Sequence, residues 1–198
     1  IYSNYGDSNL KPEESKGYDA GIDQELFGEK VSLSVTYFHT KIDNMIEWNG
    51  DISKYYNIGR ARTKGWETVL SYRPIKILSL SAHYTYTDAK DETEEGSYGG
   101  KYLKYHPKHT GGAALNIKPL ERLNLNLSAQ YVGKRYRNED NTAEMPAYTL
   151  LNFALSYDVN KYLQLFGKVD NLTDKKYQSI YQYGEPGIGF YGGVKLTF

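Results

Sequence analysis

Each residue cluster in this sequence that could do chemistry lacks something that chemistry needs. Gly187-Ile188-Gly189-Phe190-Tyr191-Gly192 spells G-x-G-x-x-G. Such a run cradles a dinucleotide pyrophosphate only where it joins a strand to a helix N-terminus. Here it lies in an alternating segment that ends six residues later, so its glycines read as points of bending or close packing. His106 and His109 stand three apart beside Pro107. In a strand that spacing puts them on opposite faces. His39 and His83 are not obvious partners, so no metal site is expected. Asp88, Asp91, Glu92, Glu94 and Glu95 could gather the oxygens that Ca²⁺ prefers. They lack the glycine-punctuated spacing of an EF-hand and read as a solvated acidic loop. Cysteine is absent, which excludes thiolate catalysis, disulfides and Cys-based metal sites. No serine sits in a G-x-S-x-G turn. His83, which shares alternate positions with Ser79 and Ser81, is the residue through which an enzyme reading would have to run.

The remaining candidates are aromatic. Tyr2, Tyr5, Trp48, Tyr55, Tyr56, Tyr98, Tyr102, Tyr181 and Tyr183 fall in the longer connections between strand-like segments. Tyr and Trp give large contact area at low entropic cost, which suits a binding mouth. The same residues at loop bases also build the aromatic belt of a membrane interface. Trp48 and Tyr181 stand furthest from strand ends and are the leading candidates for ligand contact.

The elements that must position these residues show period-two alternation. Leu78, Leu80, Ala82, Tyr84 and Tyr86 alternate with Ser79, Ser81, His83, Thr85 and Thr87; Leu123, Leu125, Leu127, Ala129 and Tyr131 alternate with Asn124, Asn126, Ser128 and Gln130. Each such segment has one apolar and one polar face. About nine strands are expected, over 15–26, 30–42, 57–72, 76–88, 107–118, 121–134, 147–158, 161–171 and 188–198, each near the length that spans a bilayer when tilted. Tight turns are expected at Phe27-Gly28-Glu29, Arg73-Pro74-Ile75, Lys118-Pro119-Leu120 and Val159-Asn160. The connections between them, 43–56, 89–106, 135–146 and 172–187, are long. Short and long connections therefore alternate, as the two ends of an outer-membrane barrel require. A soluble β-sandwich is the competing architecture.

Composition agrees with the barrel. Mean hydropathy is −0.67, yet 15% of residues are aromatic and 21 are tyrosine. Lipid touches only alternate strand residues, the lumen is polar, and aromatic girdles mark both interfaces. Net charge is zero, which gives no reason to expect nucleic acid. No secretory leader is visible and the pattern is already running near Ile1, as a segment of a longer or processed chain would show. The fold class expected is all-β, an antiparallel transmembrane β-barrel of which these strands are a part. The missing strands must come from upstream or from other copies, because an open edge is not tolerated in lipid. Gly193, Leu196 and the terminal Phe198 resemble the signal that the barrel-assembly machinery recognises. The acidic loop would then face lipopolysaccharide, bridged to it by divalent ions.

Three further runs carry a resemblance. Asn9-Leu10-Lys11-Pro12-Glu13 is similar to an N-L-K-P-E run before a barrel strand. Residues Asn57 to Glu67 resemble an N-x-x-x-A-x-x-x-G-x-E strand. Val169 to Tyr177 resembles the N-L-[FT]-D-x-x-Y segment that opens a last extracellular loop. In this order, and with the ending Gly193 to Phe198, they resemble the C-terminal portion of TonB-dependent receptors. Tyr181 to Gly187 looks most like the vitamin B12 (cobalamin) receptors, with ferric-siderophore receptors sharing the scaffold. The resemblance implies nine C-terminal strands of a 22-stranded barrel across residues 1–198, with the plug and earlier strands elsewhere. It also implies uptake of a scarce nutrient, a corrinoid or a ferric siderophore, powered by TonB through that plug. It implies no cofactor and no bond-breaking step. A passive porin, an adhesin and a barrel enzyme are the readings of other classes.

Overall fold

The computed structural model describes residues 8–49, 53–57, 59–93 and 98–198. Tyr2, Tyr5, Ile58, Glu94 and Glu95 lie outside the described residues. The strands are β1 (Glu14–Leu26), β2 (Val31–Asp43), β3 (Ile46–Asn49), β4 (Lys54–Asn57), β5 (Arg60–Ile75), β6 (Leu78–Asp91) and β7 (His109–Leu120). They continue as β8 (Leu123–Val132), β9 (Arg135–Tyr136), β10 (Glu144–Met145), β11 (Tyr148–Asn160), β12 (Leu163–Asp170) and β13 (Gly189–Leu196). Nine of them form one antiparallel meander in the order β1-β2-β5-β6-β7-β8-β11-β12-β13. The other four make two small hairpins, β3–β4 and β9–β10. Both hairpins fall in connections that the sequence marks only as long.

The tight turns lie at one end of the sheet and the long connections at the other, as the alternation requires. The first turn is where the sequence puts it, with Phe27, Gly28 and Glu29 all at positive φ (57°, 65° and 66°). The other three lie two or three residues later, at Lys76-Ile77, Glu121-Arg122 and Lys161-Tyr162. The expected turns at Arg73-Pro74-Ile75, Lys118-Pro119-Leu120 and Val159-Asn160 are instead strand ends. Register shifts fall between Tyr72 and Ile75, Ile117 and Leu120, and Asp158 and Asn160. Proline has no N–H to give the ladder, and a bulge leaves a residue unpaired. Pro74 and Pro119 therefore mark bulges just before the turns, not the turns.

Register carries the alternation right across the sheet. Leu26, Val31, Tyr72, Leu80, Leu115, Leu127, Phe153, Val169 and Phe190 pair in succession through nine strands. All are apolar or aromatic. On the opposite face Glu25, Ser32, Ser71, Ser81, Ala114, Ser128 and Asn152 pair in the same way. One face is thus suited to lipid and the other to a wet lumen. A second layer does not exist among the described residues. Buried hydrophobics there amount to Ala61, Ala89, Leu103 and Met145, whereas Ile22 and Phe190 are each 73% exposed. The accessible area is 13643 Å², against roughly 9,500 Å² for a compact soluble monomer of this mass. That excess removes the β-sandwich reading, in which one face must be a packed core.

Aromatics gather on the outward face towards the long-loop end. Tyr18 lies 5.1 Å from His39 and 6.3 Å from Tyr37, whose ring is 4.9 Å from Trp66. His109 lies 5.4 Å from Tyr86 and 6.1 Å from Tyr84, and its Nδ1 shares a 2.7 Å hydrogen bond with the Tyr84 hydroxyl. This is an interfacial girdle, apolar at the ring and polar at the tip. Gly65 explains one residue of the family-like run. A Cβ there would stand 1.8 Å from the Tyr86 carbonyl oxygen and 2.7 Å from the Phe38 ring, so the close approach of β5 to β6 needs glycine.

Candidate ligand-binding site on the lumen rim

The four long connections meet the solvent at one rim, and the last of them is tied down most heavily. Asn171 opens it, 4% exposed and with φ of 51°. Its side-chain amide donates to the carbonyl oxygens of Lys175 (2.9 Å) and Pro186 (3.3 Å), and its Oδ1 accepts from the Lys175 N–H (2.8 Å). Asn is among the few residues that tolerate this left-handed backbone. Asp174 Oδ1 accepts from the Ile188 N–H at 2.9 Å and from Lys176 Nζ at 3.0 Å. Those bonds, the backbone one first, hold the Asp174 carboxyl below its ordinary range. The N-L-T-D run is therefore a clasp joining both ends of loop 171–188.

A second clasp comes from the neighbouring hairpin. Arg135, in β9 and 4% exposed, donates from Nη2 to the carbonyl oxygens of Gln178 (2.5 Å) and Ser179 (3.1 Å). Its guanidinium lies 5.5 Å from the centre of the Tyr148 ring. The Tyr148 ring lies 4.6 Å from that of Tyr177, tilted by 39°, and Arg137 lies 3.7 Å over the ring of Tyr181. Burial, then the nearby Glu185 carboxylate, pushes the Tyr177 phenol up from its usual value. Tyr148 pairs with Val132, which pairs with Thr110 and so with Thr85 on the polar face. Tyr148 therefore belongs to the lumen side, and Tyr177 packs against it. Between them is a cavity of about 430 Å³, lined by Met145, Pro146, Tyr148, Tyr177, Tyr181 and the charged side chains of Glu144, Lys175, Lys176 and Glu185. Its size suits a small-molecule site. Its aromatic faces favour a planar ligand, and its two lysines and two glutamates offer polar partners of both signs.

The aromatics expected from the sequence form separate groups. Tyr181 belongs to this cavity. Tyr183 is nearby in the loop and 71% exposed. Trp48 and Tyr55 meet edge to face at 5.1 Å on the β3–β4 hairpin, with Tyr56 beside them in β4. Lys104 Nζ donates to the Trp48 carbonyl oxygen at 3.0 Å, linking that hairpin to the next loop. Tyr98 is exposed in loop 92–108. Tyr102 bridges to Lys90 and so shares the outward face; Lys108 Nζ lies 3.7 Å over its ring, and Tyr136 stacks on it at 6.2 Å. The hydrogen bond from Lys108 lowers the Tyr102 phenol from its ordinary value. Tyr148, Tyr177, Arg135 and Arg137 were not among the expected site residues. Tyr177 is inside the family-like run, and Arg135-Tyr136-Arg137 alternates cation and ring, so a faint signal was present.

The other clusters take ordinary places. His106 is outside any strand, with Nδ1 2.8 Å from the Lys104 carbonyl oxygen, while His109 is in the girdle. Asp88 and Glu92 both pair with Arg62, at 3.2 and 2.9 Å. No group of three His, Cys, Asp or Glu that could hold a metal occurs among the described residues. The G-x-G-x-x-G run passes from the end of loop 171–188 into β13 with no helix after it. A Cβ on Gly187 would meet Asp174 Oδ1 at 2.3 Å, so that glycine serves the clasp. Leu196 pairs with Leu163 on the outward face in β13, Gly193 lies against the Phe166 ring, and Phe198 is fully exposed.

Residues 1–172 match the β-barrel of TonB-dependent-receptor-like proteins. Among solved structures, the chain is 24% identical to the siderophore receptor PiuA from Acinetobacter baumannii, with a TM-score of 0.78 over 93% of this chain and 28% of that one. It is 22% identical to the ferric-catecholate import receptor Fiu from E. coli K12, with a TM-score of 0.76 over 97% of this chain and 29% of Fiu. It is 18% identical to the copper transporter OprC, with a TM-score of 0.79 over 98% of this chain and 33% of OprC. The chain thus spans about three-tenths of the length of the structures it matches. The open nine-stranded sheet, its lipid-suited face and the family match over most of the sequence agree: this chain belongs to the TonB-dependent receptor family and forms part of its bacterial outer-membrane β-barrel.

Proposed function

We propose that this chain is the C-terminal part of a receptor that imports a ferric siderophore, with uptake powered by TonB acting on a plug that closes the complete barrel. The observation that carries the ligand class is the rim cavity lined by Tyr148, Tyr177, Tyr181, Lys175 and Lys176, with Arg135 and Arg137 set behind it, 5.5 Å from the Tyr148 ring and 3.7 Å over the Tyr181 ring. A ferric catecholate presents flat rings and negative charge, and both find partners in such a site. The names of PiuA and Fiu point to the same class. A second reading, a corrinoid receptor, rests on the run Tyr181 to Gly187. The residues Gly193, Leu196 and Phe198 support engagement by the barrel-assembly machinery.

Binding to the full-length receptor in detergent separates the ligands. Ferric catecholate, ferric hydroxamate, cyanocobalamin and Cu²⁺ are titrated in turn by tryptophan fluorescence. The ferric catecholate is expected to bind tightest, and Tyr181→Ala to weaken it by about 1–2 kcal/mol, roughly tenfold. Tight binding of cyanocobalamin alone would discard the siderophore and leave the corrinoid reading.

A further inference from the structure

Another cavity lies at the opposite end of the lumen wall, among the tight turns. It measures about 440 Å³ beside the β5–β6 turn, and its charged lining residues are Lys30, Arg73, Lys76 and Lys118. No carboxylate lines it, and none of the four cations has an ion pair among the described residues. Register sets this cavity on the lumen side. The Arg73 N–H donates to the Lys30 carbonyl oxygen at 2.7 Å, one position beyond the outward pair Val31–Tyr72. Ser79 and Asn116, which also line the cavity, pair with each other on the polar face, and Lys118 follows Asn116 by two positions. The tight turns of such a barrel are its periplasmic end, so the cavity stands at the periplasmic mouth. A cleft lined by one sign of charge between low-dielectric walls concentrates counter-ions. Neighbouring like charges such as Lys30 and Arg73 also cost stability until an anion joins them.

The wall above the mouth points to the anion. The rim row through Tyr148, Val132, Thr110 and Thr85 and the mouth row through Ser79 and Asn116 are about 20 Å apart along the strands. Between those rows the lumen face of β6, β7 and β8 consists of Ser81, His83, Gly112, Ala114, Ser128 and Gln130. No Asp, Glu, Lys or Arg stands among them, and all of them line a hollow of about 300 Å³. A Cβ on Gly112 would stand 2.6 Å from the His83 ring, so glycine there lets the ring lie against the wall. Charge on this face thus changes from two lysines and two glutamates at the rim to cations alone at the mouth. We infer that the mouth cavity is an exit station for the anionic ligand, which reaches it from the rim along the β6–β8 wall. The station rests on the importer reading proposed above and adds a second anion site to it. It draws the ligand towards the periplasm. Lys30, Arg73 and Lys118 are exposed, and exposed cations hold an anion weakly enough to let it leave.

The test is the rate of uptake of a radiolabelled ferric tris-catecholate by cells whose sole route for it is the full-length receptor. Lys30, Arg73 and Lys118 are changed together to glutamine (K30Q/R73Q/K118Q), and a variant that keeps the charges (K30R/R73K/K118R) is the control. An exposed cation is worth roughly two- to fivefold to an anion, so the maximal rate of the glutamine variant falls about tenfold. Its surface binding and half-saturating concentration stay those of the wild type, and the control transports normally. An unchanged maximal rate would overturn the station and leave the importer reading standing, as would an equal loss in the control. A wild type that takes up no ferric catecholate would overturn the importer reading and the station with it. Ligand-free entry of a large antibiotic that the outer membrane excludes, rising in the glutamine variant alone, would show that the cations hold the plug instead and would also overturn the station. If the triple variant does not assemble, as judged by heat-modifiable gel migration, Arg73→Gln and Lys118→Gln are measured singly. Each is then expected to slow uptake by about twofold, and unchanged rates in both would overturn the station.

Discussion

Arg135→Ala will raise the Kd of the full-length receptor for its ligand by roughly 30- to 150-fold, about 2–3 kcal/mol, while the barrel remains folded. Arg135 is almost wholly buried and holds two carbonyl groups of loop 171–188 through one nitrogen. Hydrogen bonds from a charged donor contribute more than neutral ones, and the loop has no second anchor on β9 of that kind. Its Nη1 is buried without a hydrogen-bond partner among the described residues, so the side chain is costly to place and its position has to be offset by the loop contacts. Alanine releases the loop, and the fraction of receptor with a formed cavity falls; the apparent affinity falls with it. Two readouts check this. Ligand titration gives the affinity, and limited proteolysis without ligand gives the opening of loop 171–188. Lysine at the same position restores one donor and recovers part of both. Unchanged affinity together with unchanged proteolysis would show that the clasp does not shape the site.

Arginine at Leu127 will destabilise the receptor by about 2–4 kcal/mol, whereas arginine at the adjacent Asn126 will change stability by less than about 0.5 kcal/mol. The two residues are neighbours in β8 and differ only in face. Leu127 pairs with Leu115 and Phe153 in the apolar row, and Asn126 pairs with Asn116 and Ala154 on the lumen side. A charge at the lipid midplane loses its water, and a charge in the lumen keeps it. Reversible unfolding of the full-length receptor in lipid vesicles measures both. Equal effects, or a larger effect at Asn126, would mean that the faces are assigned the wrong way round.

The strands and the end at which each connection lies were readable because they are local properties. Alternation in Leu78 to Thr87 or Leu123 to Tyr131 needs no tertiary information, and neither does the Gly28 turn. The three misplaced turns show where local reading fails. At Pro74 and Pro119 proline signals that a donor is missing, and a bulge just before the turn satisfies that as well as the turn does; at Asn160 the same kind of shift occurs without proline. The rim cavity was largely hidden for a different reason. Arg135, Tyr148 and Tyr177 meet only because β9, β11 and loop 171–188 are brought together by the sheet order. Tyr181 was picked from its distance to strand ends, and it does line the cavity. Tyr102 was named only as an aromatic in a long connection, and its bridge to Lys90 turns it outward.

The most direct test of the account is uptake of radiolabelled iron from a ferric catecholate by cells whose sole route for it is the full-length receptor, with TonB present or deleted. The account predicts saturable uptake that stops when TonB is deleted or the proton gradient is collapsed, while binding at the cell surface persists. Uptake that continues without TonB would contradict it and would make the barrel a passive pore.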